Sequence, residues 1–281
     1  MTDALNPTPA KPALNKDTRL CISLAARPSN FGTRFHNRLY EQFGLDFVYK
    51  AFTTTDLPGA IAGVRALGIR GCSVSMPFKE DVIALVDELD ASATAIQSVN
   101  TIVNDDGYLR AYNTDYIAAV TLLRGAGLDP ATPLLLRGSG GMAKAVGAAL
   151  RDSGFTAGTI VARNESRGRA LAEELGYAWL AEPGTATAPL LVNVTPIGMA
   201  GGDQAMESAF TPAAIDAAGT VFDVVALPAE TPLIRAARAA GKTVITGAEV
   251  IALQAAEQFE LYTGVRPSPA QVQAAAAHAR A

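Results

Sequence analysis

The sequence predicts an α/β protein of two domains, the second built on a doubly wound parallel sheet. Three observations predict it. The chain has 281 residues, and at about 150 residues per domain that length accommodates two domains. Short apolar runs alternate with helical patterns, the signature of strands joined by helices in a largely parallel sheet. Near the middle, a glycine-rich turn at 137–143 separates an apolar run from a helical one and opens a second strand–helix series.

Taken in order, Thr18–Ala25 reads as the first strand, Phe31–Phe43 as an amphipathic helix and Phe47–Phe52 as the second strand. Leu57–Leu67 is helical and stops at Gly68; Gly71–Ser75 is a strand. Pro77 is expected to open the next helix, where its missing N–H costs nothing. The β-rich runs Ser98–Val103 and Tyr108–Thr114 flank Asn104-Asp105-Asp106-Gly107, a strong turn signal, so a hairpin brings Asn100 back beside Tyr112 and Asn113. A helix follows from Tyr116 to Gly125. The second series reads strand Pro133–Leu136, helix Met142–Arg151, strand Thr159–Ala162 and helix Ser166–Leu175. Strands at Leu190–Val194 and Val221–Val225, helix Pro232–Ala240, strand Thr243–Thr246 and a long helix from Glu249 to Tyr262 complete it. The first domain is placed at 18–115 with about 250–281 returning to it, the second at 116–249, with a cleft between them.

Composition narrows the function classes. Apolar residues make up 49% and charged residues 18%, with 27 acids against 23 bases. A net charge of −4 argues against a nucleic-acid or anionic-membrane partner. Two cysteines, Cys21 and Cys72, are too few for a disulfide framework and fall in strands, as buried thiols do. The charge-free stretch Pro183–Gly202 is broken by prolines and glycines and is no membrane span. The N-terminus lacks the basic start and apolar core of a signal peptide, so residues 1–17 read as a disordered tail. No His, Cys and carboxylate cluster has metal-ligand spacing. The expectation is a cytoplasmic protein, monomer or homodimer, with a small-molecule partner.

The turn Arg137-Gly138-Ser139-Gly140-Gly141-Met142-Ala143 fits G-x-G-x-x-A between strand and helix. Gly138 permits the tight turn, Gly140 lets backbone approach a pyrophosphate, and Ala143 allows close helix–strand packing. The helix start offers unpaired N–H groups and a positive dipole end to phosphates. Past the next strand the chain reads Ala162-Arg163-Asn164-Glu165-Ser166-Arg167. Arg163 and Arg167 suit a ribose 2′-phosphate, hence NADP rather than NAD, although Glu165 dilutes the local charge.

In the first domain, a lysine in the first turn of a helix opposes the helix dipole, so Lys79 is a candidate for a lowered pKa and proton transfer. A snorkelling surface lysine is the plainer alternative. Asp115, at the domain boundary, is either a site carboxylate or the N-cap of the helix that follows. Asn100 is either a ligand or a polar hairpin residue. His36, amid Phe35, Leu39 and Phe43, reads as structural, and the lone Trp179 is uninformative.

An ordered set of motifs now matches a family. Gly71-Cys72-Ser73-Val74-Ser75-Met76-Pro77-Phe78-Lys79, Ser98-Val99-Asn100-Thr101, Asn113-Thr114-Asp115 and Gly138–Ala143 come first. Asn193-Val194-Thr195-Pro196-Ile197-Gly198-Met199, Asp223-Val224-Val225, Glu230-Thr231-Pro232-Leu233 and Gln254-Ala255 with Phe259 and Thr263-Gly264 follow. The chain resembles the shikimate dehydrogenases over nearly its whole length. The resemblance implies a Rossmann-type NADP-binding second domain and a substrate-binding first domain. It implies Lys79 and Asp115 as the catalytic pair, and Asn100, Gln254 and Ser75 as substrate ligands, with Ser75 where the family usually has threonine. Thr195, Met199, Val224 and Gly247 would line the cofactor site. The implied reaction is reversible hydride transfer between NADPH and 3-dehydroshikimate, a step of aromatic amino acid biosynthesis.

The chain also departs from the pattern. The family's S-x-S-P-x-x-H-N segment appears as Arg27-Pro28-Ser29-Asn30-Phe31-Gly32-Thr33-Arg34-Phe35-His36-Asn37, with Asn30 and Gly32 at the serine positions. Ser29, Asn30 or Arg27 is left to hold the substrate carboxylate. Ala226 replaces a tyrosine, Ser73 an asparagine, and Glu249 a glycine near the nicotinamide pocket, where its carboxylate is either solvated or paired with a cation. These changes resemble the shikimate dehydrogenase-like branch. Two alternatives stay open: a dehydrogenase of quinate or another cyclic hydroxy-acid, and a non-catalytic NADP-binding sensor.

Overall fold

The computed structural model describes residues Ala10–Ala281, and these divide into two compact units. Residues up to Thr114 together with Ala255–Ala281 form one, and Asp115–Gln254 the other. Most of the tail expected at 1–17 lies outside the described residues. The chain is tied down from Asn15, whose Nδ2 donates to Asp46 Oδ2 at 3.0 Å, with Thr18 Oγ1 donating to the same carboxylate at 2.7 Å.

The first unit runs β1 (Arg19–Leu24), α1 (Asn30–Gln42), β2 (Phe47–Phe52), α2 (Leu57–Ala66) and β3 (Gly71–Val74). A 3-10 turn (Asp81–Leu85), β4 (Glu88–Leu89), α3 (Ala91–Thr94), β5 (Thr101–Asp105), β6 (Tyr108–Tyr112) and the start of α4 (Thr114–Gly125) follow. The sheet order is β2-β1-β3-β5-β6-β4, parallel from β2 to β3 and antiparallel through the β5–β6 hairpin. Asp106 and Gly107, both at positive φ, make the hairpin turn, and the Asn104 side chain accepts from Gly107 N–H at 2.7 Å.

One sheet face buries Ile22, Leu24, Cys72, Val74 and Ile102 against Leu57, Ile61 and Val64 of α2. The other carries an aromatic cluster from α1, β2 and α9: Phe35, His36, Tyr40, Tyr49, Phe259 and Tyr262. A side chain at Gly71 would collide with the Tyr262 ring, so glycine is what lets that ring lie on the strand. His36 stacks on Tyr49 with ring centroids 4.4 Å apart and is fully buried, the structural place its sequence context suggests.

The second unit holds β7 (Leu134–Arg137), α5 (Gly141–Asp152), β8 (Gly158–Val161), α6 (Glu165–Leu175), β9 (Ala178–Leu180) and β10 (Leu190–Asn193). It continues with α7 (Pro212–Ala217), β11 (Thr220–Asp223), α8 (Pro232–Ala239), β12 (Thr243–Thr246) and the first half of α9 (Gly247–Thr263). The second half of α9 and α10 (Pro269–Arg280) belong to the first unit, and α10 packs on α1. All six strands run parallel in the order β9-β8-β7-β10-β11-β12. That order reverses direction between β7 and β10, the switch point at whose carboxyl ends ligands bind in doubly wound sheets. The strands β9 and helix α7 escape the sequence pattern because both are short, at 3 and 6 residues.

Two local expectations are corrected. Pro77 opens no α-helix: turns occupy the segment after it until the 3-10 turn begins at Asp81. The Lys79 carbonyl, which a helix would pair with the Ile83 N–H, instead accepts from Val99 N–H at 2.8 Å, and Ile83 N–H goes to Glu80 O. The helix-dipole argument for Lys79 therefore falls. Asp115 is not an N-cap either, because α4 already begins at Thr114 and Asp115 lies in its first turn.

Candidate functional site

In the second unit, the site grows from the carboxyl ends of β7, β8 and β10. Gly138 has φ +133°, a backbone few other residues adopt, and a Cβ there would lie 2.8 Å from Val194 Cγ2. Its N–H is held by Val161 O at 2.9 Å, tying the loop to β8. Around Gly140 and Gly141 the opposite holds: a Cβ on either would meet nothing within 4 Å. The loop is pinned on its inner side and open on its outer side, as a phosphate cradle must be. Met142 is half-buried and Ala143 fully buried in the first turn of α5, so the small third position serves packing.

A pocket of about 200 Å³ lies against this loop, lined by Arg137, Gly138, Ser139, Ala162–Asn164, Glu182, Thr195–Ile197 and Gln204. Asn164 caps α6, its Oδ1 accepting from Arg167 N–H at 3.0 Å, which sets both arginines at the helix start. Arg163 and Arg167 are exposed. Glu165, which in sequence dilutes their charge, is instead paired with Arg169 at 2.8 Å, leaving a local positive excess.

Trp179 turns out to be informative. Arg169 lies 4.2 Å from its ring centroid, and its Nε1 donates to Ala162 O at 3.1 Å. A side chain at Gly168 would strike the indole. The tryptophan thus buttresses the loop after β8, a role with no signal in sequence because its partners are a backbone carbonyl and a glycine.

A buried network closes the ends of β10 and β11. Asp223 Oδ1 accepts from Asn193 Nδ2 at 2.9 Å and Val225 N–H at 3.1 Å, and Oδ2 accepts from Thr231 Oγ1 at 2.6 Å. Asn193 Oδ1 takes the Thr195 hydroxyl at 2.6 Å, fixing that side chain at the pocket wall. Burial pushes the Asp223 carboxyl up, and the three donors oppose it. Burial likewise lowers Arg137, opposed by Glu182. A Cβ at Gly247 would run into the Val224 carbonyl and the Val225 backbone, so α9 starts hard against the end of β11. Met199 is exposed in the loop after β10.

Glu249 answers its own question. The residue is exposed, and its Oε2 accepts from Thr246 N–H and Oγ1, making a capping box at the start of α9. The Thr-x-x-Glu spacing carried that signal in sequence.

In the first unit, β1 and β3 end side by side. Ser75 N–H donates to Leu24 O at 2.9 Å and Ala26 N–H to Met76 O at 3.1 Å, so the loop leading to Ser29 and Asn30 starts beside the one carrying Lys79. Ser75 is exposed and Lys79 half-buried. Val74 N–H donates to Asn100 O at 2.8 Å, and Asn100 N–H to Tyr112 O at 3.1 Å, bringing Asn100 to the same strand ends. Ser29 is the N-cap of α1 without a side-chain capping bond, and Ser29, Asn30 and Arg27 are all exposed. Gly32 sits over the Tyr49 ring, where a Cβ would be 3.4 Å from the hydroxyl.

Asp115 is buried in α4, directly after Thr114, and Gln254 is half-buried on α9, one turn ahead of Gln258. Gln258, Thr101 and Thr114, which sequence reading passed over, are buried around Asn100. Cys21 and Cys72 are buried free thiols; burial lifts Cys21 to about 12 and raises Cys72 too, far from a nucleophile's range. Among the described residues no helix is long and apolar enough to cross a membrane.

Comparison with known proteins decides the family. Residues 31–102 match the family model described as the shikimate dehydrogenase substrate binding domain. A shikimate dehydrogenase-like protein of Haemophilus influenzae is 59% identical over 267 residues, covering 95% of this chain and 98% of that one. The chain belongs to the shikimate dehydrogenase family. A shikimate dehydrogenase (NADP(+)) of Archaeoglobus fulgidus is 38% identical over 255 residues, covering 87% of this chain and 92% of that one. The solved structure of a shikimate 5-dehydrogenase-like protein superposes with a TM-score of 0.93 at 58% identity, covering 96% of this chain and all of that one. As a family member, the chain combines an N-terminal α/β unit with a Rossmann-type one, the architecture its strand orders describe.

Proposed function

We propose that the chain is an NADP-dependent oxidoreductase that interconverts a small cyclic hydroxy-acid and its ketone, with shikimate and 3-dehydroshikimate as the leading pair. The observation that carries the cofactor half is the Gly138–Gly141 loop: closed by Val194 inside, open outside, at the switch point of a doubly wound sheet. Gly138–Ala143 would hold the pyrophosphate, and Arg163 and Arg167 the 2′-phosphate, now that Glu165 is engaged by Arg169. Asn164 orders that corner by capping α6. Thr195, Met199, Val224 and Gly247 would border the nicotinamide, which when bound supplies or accepts the hydride.

The chain's own residues manage the proton. Lys79 donates to the oxygen that becomes the hydroxyl, and its ammonium stabilises the charge developing there. Asp115 orients that ammonium. Asn100, Gln254 and Ser75 hold substrate hydroxyls, and Ser29 and Asn30 receive the carboxylate.

A second reading, a dehydrogenase of quinate or another cyclic hydroxy-acid, is favoured by Gly32 and Ala226. Both remove polar partners where the resemblance sets serine and tyrosine, and lost hydrogen-bond partners shift specificity by orders of magnitude. The test is NADPH appearance on mixing the purified protein with NADP and shikimate, with NAD and quinate in parallel. Turnover preferring NADP and shikimate supports the first reading, and preference for quinate the second. Tight NADPH binding without turnover of either points to another substrate or to a sensor.

A further inference from the structure

We propose that Thr101, Thr114 and Gln258 are positioning residues that lock the Asn100 amide in one orientation, so that this point of the first unit recognises an oxygen acceptor, a hydroxyl or keto group, through an N–H donor. The identity of the ligand rests on the reading above; the locked orientation rests on the first unit's own geometry.

Thr114 N–H donates to Asn100 Oδ1 at 2.8 Å. A backbone N–H has no acceptor capacity, so the amide nitrogen cannot occupy that place. Two hydroxyls converge on the same oxygen, Thr101 Oγ1 at 2.8 Å and Thr114 Oγ1 at 3.1 Å. Gln258 then settles which way the Thr101 hydroxyl points. Its Nε2 donates to Thr101 Oγ1 at 3.0 Å, and reaches Ser73 Oγ at 3.1 Å and Asn100 O at 3.3 Å. Having accepted from Gln258, Thr101 Oγ1 keeps its own proton for a further acceptor, and Asn100 Oδ1 at 2.8 Å is nearer than Thr114 Oγ1 at 3.3 Å.

Thr101 and Thr114 are fully buried, and Asn100 and Gln258 are 2% exposed. Flipping the amide would set N–H against N–H inside a buried network, an expensive arrangement. Oδ1 is saturated by three donors. Whatever Asn100 engages beyond this network, it engages through Nδ2 as a donor.

The test uses Thr101→Val, which keeps shape and removes the hydroxyl, and Thr101→Ser, which keeps the hydroxyl. Thr101→Val is expected to raise KM for shikimate about tenfold, the loss of one well-placed hydrogen bond, with KM for NADP unchanged and kcat less affected. Thr101→Ser restores the wild-type KM. A folded Thr101→Val with unaltered KM for shikimate overturns the proposal, as does a general fall in activity and Tm without that KM split. Should Thr101→Val not fold, Gln258→Met carries the same measurement.

If the wild-type protein turns over no cyclic hydroxy-acid, the functional reading fails and the orientation is read directly. In 15N-labelled protein, the Asn100 side-chain NH2 signals, assigned by their loss in Asn100→Asp, should shift and exchange faster with solvent in Thr101→Val. Unmoved signals overturn the proposal.

Discussion

Thr246 and Glu249 cap the start of α9 reciprocally. Glu249 Oε2 accepts from the Thr246 N–H at 2.8 Å and from its hydroxyl at 2.6 Å, while Thr246 Oγ1 accepts from the Glu249 N–H at 3.3 Å. The box holds the first turn of a helix that runs against the end of β11 at Gly247, so a carboxylate that departs from the family pattern has a local structural purpose.

Replacing Glu249 by glycine removes one half of the box and adds backbone freedom in the first turn. Glu249→Gly should cost about 1 kcal/mol or somewhat more, while Glu249→Gln, which keeps an acceptor, should cost less. Thermal or urea unfolding measures both. Equal stability of the glycine variant and wild type would show that the box contributes nothing.

Lys79→Ala should lower kcat by about 10²-fold or more, the contribution of a positioned proton donor, with little change in KM for the hydroxy-acid. Steady-state kinetics over a range of substrate concentrations separates the two constants. Unchanged turnover removes Lys79 from the chemistry and returns it to the role of a half-buried surface lysine.

Arg167→Ala should raise KM for NADP far more than KM for NAD, because only NADP carries the 2′-phosphate. Equal effects on the two cofactors would sink the assignment of Arg163 and Arg167. A combined Arg163→Ala, Arg167→Ala protein should discriminate least.

His36 sets an acid limit on the first unit. Burial pushes its pKa from 6.5 down to about 3, and both ring nitrogens are buried without a hydrogen-bond partner. Below pH 6.5 the unfolded chain takes up a proton that the folded ring refuses. His36 therefore leaves full stability in place above that pH and erodes it as pH falls toward 3, by roughly a few kcal/mol in total. His36→Phe should flatten that part of the curve of Tm against pH. An unaltered acid limb in the variant would assign it to other groups.

Much of the fold and of the site was legible because its signals are local. Strands of a parallel sheet read as apolar runs, and β2, expected at Phe47–Phe52, occupies those residues. The Gly138–Ala143 turn declares itself because a tight backbone approach tolerates few residue types. Lys79 shows where local reading misleads. A proline followed by Phe78, Lys79 and two acids resembles a helix start, yet the carbonyl of Lys79 is claimed by Val99, twenty positions along the chain.

What the sequence by itself determined is therefore most of the longer elements in their order, the glycine loop, the arginines after β8 and the motif set that carries the family. Periodicity and backbone permissiveness are properties of neighbouring residues, and they survive without a fold. The tertiary structure alone decided that Trp179 backs the loop after β8, that Asp223 ties Asn193 to Thr231, and that Gln258 reaches across to Thr101 beside Asn100. Most join polar groups that lie far apart in the chain. Burial made those bonds obligatory, because a polar atom shut away from water must find its partner wherever the fold has put it.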